Sequence, residues 1–135
     1  ARAAAVGSEA LLAEGNLPVA RKRAEEAWQL AAHSQDLKAR VSVALNAARV
    51  RTAVGEQEPA TQLLARAEAD VRGTGYAMLA LDTRLARGEL DSDPIHRREL
   101  LTTVEKDARA KGYGLAAARA KRLLALSQAA TRGKK

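Results

Sequence analysis

Three glycine-to-proline steps recur along this chain and constrain its fold more than any other feature. Gly15, Gly55 and Gly88 each close an apolar-periodic stretch, and each is followed shortly by a proline, Pro18, Pro59 and Pro94. The glycines lie 40 and then 33 residues apart, and the prolines 41 and then 35. Glycine relieves left-handed backbone at a helix C-terminus. Proline fits the first turn of the next helix, where its missing N–H has no intrahelical partner. Each step therefore reads as a corner between helices, and their spacing as an internal repeat of helical hairpins.

A second set of corners closes each hairpin, at Ser34-Gln35-Asp36-Leu37, Gly73-Thr74-Gly75-Tyr76 and Lys111-Gly112-Tyr113. These place Leu37, Tyr76 and Tyr113 at equivalent helix starts. Between the corners the sequence predicts seven helices, at 1–14, 17–34, 36–54, 58–72, 76–88, 94–111 and 113–130. They form one all-α domain over 1–130, followed by a basic tail at 131–135. In the third of these helices, Leu37, Val41, Ala44, Leu45 and Ala48 form one apolar stripe, and Val43, Ala47, Val50 and Val54 a second. Two stripes mean two packed sides, as a helix inside a stack requires.

Composition agrees. Alanine and leucine dominate the apolar residues, Phe is absent, and Ile95 is the sole isoleucine, so intrinsic propensity favours helix over strand. Alanines bury little surface each, so such a core is built from many small contacts. With no cysteine, disulfides, thiolate metal sites and cysteine nucleophiles are excluded. The uncharged runs fall well short of the roughly 20 apolar residues a membrane-spanning helix needs. No signal-peptide pattern opens the chain, and the expected location is the cytoplasm. The first residue is Ala1 and not Met, which reads as processing or as a piece cut from a longer protein.

The segment Leu11-Leu12-Ala13-Glu14-Gly15-Asn16-Leu17-Pro18-Val19-Ala20, continuing to Ala24 and Ala27, resembles the tetratricopeptide repeat. That repeat has a glycine late in its first helix and small residues at set positions in its second. Val54-Gly55-Glu56-Gln57-Glu58-Pro59-Ala60, with Leu64 and Ala67, matches at the same offsets. Leu85-Ala86-Arg87-Gly88-Glu89-Leu90 is a weaker third copy, with Leu100 where a small residue is expected. The family's aromatic positions are missing, and the spacing departs from its usual 34 residues. The resemblance implies a right-handed stack of antiparallel hairpins, an α-solenoid, acting as a non-catalytic scaffold. Its concave face, lined by the first helix of each pair, would hold a peptide or protein. The stretch Leu100 to Leu115 also resembles the end of repeat arrays in large bacterial regulators, including some serine/threonine kinases and transcriptional activators. That likeness implies a docking or sensor end, whose partner is another protein or another domain of the same full-length chain.

On the third expected helix, Lys38, Ser42, Asn46 and Arg49 share one face away from the apolar stripes and form the candidate partner-binding set. The alternative is an ordinary solvated face. Asp82 joins the set, beside Leu79, if the copies are aligned on Gly55 and Gly88. Aligning on Leu37 and Tyr76 puts Leu85 and Gly88 there instead. Trp28, among Ala24, Ala27 and Ala31, is expected to fill a gap between helices, and Tyr76 and Tyr113 to pack at their corners.

His33 and His96 lie in no metal-ligand spacing and are expected at helix ends or on the surface. Asp91-Ser92-Asp93 lacks the length, glycine and distal acid of a calcium loop, so Asp93 before Pro94 reads as an N-cap. The Gly73/Gly75 and Gly112/Gly114 pairs follow helices and not strands, so they form no dinucleotide fingerprint. The expectation is a protein that is not an enzyme and carries no metal or cofactor.

The net charge of +7 is uneven. Residues 95–135 hold eleven basic against three acidic side chains, whereas residues 74–94 sum to −2. Arg109, Lys111, Arg119, Lys121 and Arg122, with Arg97, Arg98, Lys106, Arg132, Lys134 and Lys135, suggest a basic surface. Binding of nucleic acid or another polyanion there is the alternative function. It would be salt-sensitive and short of aromatic stacking platforms, Tyr113 being the sole aromatic in the region.

Overall fold

The computed structural model describes residues 15–133, with side chains to residue 127. These residues form six α-helices and no strand: α1 Leu17–Ala31, α2 Leu37–Ala53, α3 Gln57–Val71, α4 Ala77–Leu90, α5 Pro94–Ala110 and α6 Gly114–Gly133. They correspond to the second through seventh expected helices, with ends moved by a few residues. The expected helix at 1–14 lies outside the described residues. α6 runs to Gly133, so the start of the expected tail is helical.

The corners are made by distinct local chemistry. After α2, Gly55 sits at φ +85° and its N–H donates to the Thr52 carbonyl, while the Glu56 N–H reaches back to the Arg51 carbonyl at 2.8 Å. This is the Schellman closure, in which left-handed glycine satisfies carbonyls that the helix end leaves open. Gly112 closes α5 in the same way, with the Tyr113 N–H on the Ala108 carbonyl. Two helices start on aspartate caps. Asp36 accepts from the Ala39 N–H at 3.1 Å, and Asp93 from the Ile95 N–H at 3.0 Å, as expected of a residue before Pro94.

Gly88 departs from its expected role. It lies inside α4, is buried, and does not have positive φ. The α4–α5 corner is made instead by Asp91. Its carbonyl accepts both Nε and one terminal nitrogen of Arg97, at 2.9 and 2.6 Å, and its carboxylate accepts the Asp93 N–H at 2.8 Å. Gly88 serves close packing: a Cβ there would stand 2.7 Å from Leu101 Cδ2 and 2.9 Å from Leu101 Cγ.

Helix contacts gather into two compact units, Ala1–Gly75 and Tyr76–Lys135. In the first, α2 packs against both α1 and α3. Ala20, Ala24, Ala27 and Ala31 of α1 form a small-residue stripe that meets Val43, Ala47 and Val50 of α2, with Trp28 closing both clusters. The opposite stripe of α2, Val41, Ala44, Leu45 and Ala48, is also buried, as two apolar stripes demand. Ala60, Leu64, Ala67 and Val71 are the buried residues of α3. Arg40 Nε of α2 pairs with Asp70 Oδ2 in the last turns of α3 at 3.0 Å. In the second unit, α5 packs against α4 and α6, and α6 also touches α4. Its core unites Leu81 and Leu85, Leu101, Val104 and Ala108, and Ala116, Ala117 and Ala120. Arg84 of α4 pairs with Asp107 of α5 at 2.7 Å.

The packing itself repeats. The buried residues of α3, Ala60, Leu64, Ala67 and Val71, follow those of α1, Ala20, Ala24, Ala27 and Ala31, at intervals of forty. Every buried residue of α4, Leu81, Thr83, Leu85, Ala86 and Gly88, likewise follows a buried residue of α2: Val41, Val43, Leu45, Asn46 and Ala48. The buried residues of α5, Leu101, Val104 and Ala108, then follow Leu64, Ala67 and Val71 at thirty-seven. The chain is thus built from successive helical hairpins with periods of forty and thirty-seven residues, not the 33 that the glycines suggest. Gly55 and Gly88 are not equivalent: one lies beyond a helix end and the other inside a helix.

Candidate functional site: exposed faces of the first helices of each hairpin

The repeat decides the register that the sequence leaves open. With α2 and α4 aligned by burial, Ser42 corresponds to Asp82 and Lys38 to Met78, so neither alignment offered by the sequence is the one the fold adopts. Lys38 and Ser42 are exposed, one turn apart on α2. Met78 is exposed and Asp82 half-buried, at the corresponding positions of α4 in the second unit.

The remainder of the expected α2 stripe is not displayed. Asn46 is only 3% exposed, at a position whose repeat counterpart, Ala86, is fully buried. Arg49 is half-buried, and both residues are already engaged within the chain. Helical spacing alone grouped four polar residues on one face. Packing covers the C-terminal half of that face and leaves Lys38 and Ser42 exposed.

Between α1 and α3 lies a cleft of about 280 Å³, walled by Trp28, Pro59, Leu63 and Gln62 and bounded by Glu25, Arg51 and Arg66. Trp28 packs against the α1–α2 core as expected of a gap-filling residue. The Arg66 guanidinium carbon stands 5.0 Å from its ring centroid. One Arg66 nitrogen also donates to the Ala32 carbonyl, capping α1 from α3. On the other rim, Arg51 pairs with both Glu25 and Glu56, and Glu56 also pairs with Arg21. The Arg21 hydrogen bond, with help from Arg51, holds the Glu56 carboxyl below its ordinary range, and the same contact raises Arg21. Glu56 begins α3 without capping it by its side chain, because the carboxylate is turned to the two guanidinium groups. This four-residue network ties α1 to the α2–α3 corner. No motif predicted it, since its members lie far apart in sequence.

The basic candidates divide by what surrounds them. Arg109 donates to Glu105 at 2.8 Å, and Arg119 approaches Glu89 at 3.9 Å. Arg97 is spent on the Asp91 carbonyl. Lys111, Lys121 and Arg122 are exposed and make no ion pair with a described residue. The side chains of Arg132, Lys134 and Lys135 lie outside the described residues.

His96 pairs with the Asp91 carboxylate at the α4–α5 corner, and His33 is exposed just past the end of α1, so both histidines are corner residues. Tyr113 packs against the core of the second unit as expected. Tyr76 does not match it: 62% of its surface is exposed where the second unit begins. No helix among the described residues is long and apolar enough to cross a membrane. The chain matches no protein-family model, no curated protein and no solved structure.

Proposed function

We propose that this chain is a tetratricopeptide-like scaffold of the cytoplasm, non-catalytic, that holds a polypeptide partner on the first helix of its hairpins. The observation that carries the reading is the repeat of burial. A hairpin copied with the same buried positions at a fixed interval also copies, within each unit, the positions it leaves outside its core. Exposed Lys38 and Ser42 on α2, and exposed Met78 and half-buried Asp82 on α4, are those positions, and they combine cationic, hydroxyl, thioether and carboxylate chemistry. The better-covered charged side chains, Arg40, Arg51 and Asp70, serve helix-to-helix ion pairs. A partner polypeptide would be met by hydrogen bonds and single charges, a surface suited to modest and selective affinity.

The exposed Lys111, Lys121 and Arg122, none in an ion pair with a described residue, favour a second reading, binding of nucleic acid or another polyanion through α5 and α6. Affinity capture separates the two. Loss of a captured protein with Lys38→Glu plus Ser42→Glu, and not with Lys111→Glu plus Arg122→Glu, supports the polypeptide reading. The reverse pattern, with retained duplex DNA whose binding falls steeply between 50 and 200 mM salt, would replace it with the second.

A further inference from the structure

α6 leaves exposed a face whose repeat counterpart on α4 is buried. α2, which starts a hairpin, packs on both the helix before it and the helix after it. Val43, Ala47 and Val50 of α2 meet the helix before it, α1. The face that meets the helix after it is seen on α4, whose Leu81, Leu85 and Gly88 pack on α5, Gly88 directly against Leu101. On α6, Ala120 and Leu124 take the first role, against α5. The residues thirty-seven after Leu81, Leu85 and Gly88 are Ala118, Arg122 and Ala125, and all three are exposed. Leu115, 88% exposed, and Leu126, 60% exposed, lie on the same side of the helix.

The charge on that face states what would cover it. Asp70 of α3 and Asp107 of α5 are equivalent residues, thirty-seven apart, and each reaches an arginine of the helix it packs on, Arg40 and Arg84 respectively, one turn apart in the repeat frame. Thirty-seven residues after Arg84 stands Lys121 on α6, exposed and without an ion pair among the described residues, next to Arg122. The docked helices share a pattern: Leu64, Ala67, Asp70 and Val71 in α3, and Leu101, Val104, Asp107 and Ala108 in α5.

We propose that the exposed face of α6 docks an acidic amphipathic helix of a partner polypeptide. That helix presents leucine, a small aliphatic residue, aspartate and a second small aliphatic residue at that spacing, with its aspartate on Lys121. Ala118 and Ala125 let its backbone approach, Leu115 and Leu126 supply apolar contact, and Arg122 selects for further acidic character. The proposal rests on the polypeptide-binding reading but uses a surface separate from Lys38 and Ser42.

The probe is a fluorescein-labelled, helix-stapled peptide carrying the α3 sequence Gln57–Val71, titrated into the whole chain by fluorescence anisotropy. Saturable binding is expected. Asp70→Asn in the peptide and Lys121→Gln in the protein each weaken it about tenfold, and the pair together no further, since one charge-assisted bond is removed in either case. Ala118→Arg abolishes it. Both protein positions are exposed, so an unchanged circular dichroism spectrum certifies the fold. Absence of saturable binding overturns the proposal, as does binding indifferent to Lys121→Gln, or losses that multiply. Duplex DNA binding that is lost with Lys121→Gln while the peptide fails to bind also overturns it. If the peptide fails while capture through Lys38 and Ser42 persists, the polypeptide-binding reading survives and the α6 surface does not.

Discussion

Adding one methyl group at Gly88 tests the close approach of α4 to Leu101 of α5. A Cβ there stands 2.7 and 2.9 Å from two atoms of Leu101, whose side chain is wholly buried. Apolar carbons rest about 3.5–4.0 Å apart, so Leu101 must retreat toward Leu81, Leu85 and Val104, which leave it no solvent-side exit. Overpacking of this kind costs about 1–3 kcal/mol. Against it stands the helix-propensity gain of Ala over Gly, about 1 kcal/mol. Gly88→Ala is therefore expected to destabilise the chain by up to about 2 kcal/mol. Leu101→Ala alone costs about 2–5 kcal/mol through the cavity it opens. In that background the new methyl group enters empty space, and Gly88→Ala becomes stabilising by about 1 kcal/mol. Urea unfolding followed by helical circular dichroism on the four proteins measures the coupling, about 1–3 kcal/mol from these terms. A Gly88→Ala effect equal in both backgrounds to within about 0.5 kcal/mol would refute the close-packing account.

Four further outcomes follow from other observations. Gly55→Ala should cost about 1 kcal/mol although nothing lies within 4 Å of its Cβ position, because φ of +85° strains any L-residue. Gly114→Ala, at ordinary φ and in open space at the start of α6, should stabilise by a few tenths of a kcal/mol; equal urea midpoints for the two variants would contradict both. The Arg84 hydrogen bond holds the Asp107 carboxyl below its ordinary range. Its stabilisation is then present above the unfolded pKa, near about 4, and is lost as pH falls through the lower folded value. The wild-type advantage over Asp107→Asn should be full at pH 7 and vanish towards pH 2; an advantage constant with pH would show that the charge is idle. Arg66→Ala and Trp28→Leu should show a coupling of about 0.5–1 kcal/mol in a double-mutant cycle, and zero coupling would remove the cation–π contact.

The helices were legible because their signals are local. Gly55, Gly112, Asp36 and Asp93 act within a few residues of where they stand, so corners and caps could be read directly. The alternation of apolar stripes on α2 likewise needed only 3.6-residue periodicity. Gly88 misled because the same residue type serves two physical ends, left-handed backbone and close approach, and only the partner Leu101 distinguishes them. The misreading shifted the register of the third hairpin and moved Asp82 off its true counterpart, Ser42. Asn46 was placed on a displayed face for a similar reason: periodicity says which residues share a side, not which side another segment covers. The ion network of Arg21, Glu25, Arg51 and Glu56 joins residues that only the folded hairpins bring together.

The proposed polypeptide contact lies at the exposed first-helix positions Lys38 and Ser42. A photo-cross-linking residue, p-benzoylphenylalanine, placed at Ser42 in the whole chain measures this directly, with the same residue at exposed Glu26 of α1 as the control. The account predicts a discrete protein adduct from position 42, digestible by protease, resistant to nuclease, and suppressed by Lys38→Glu. A nuclease-sensitive adduct, or the same adduct at equal yield from position 26, would contradict it.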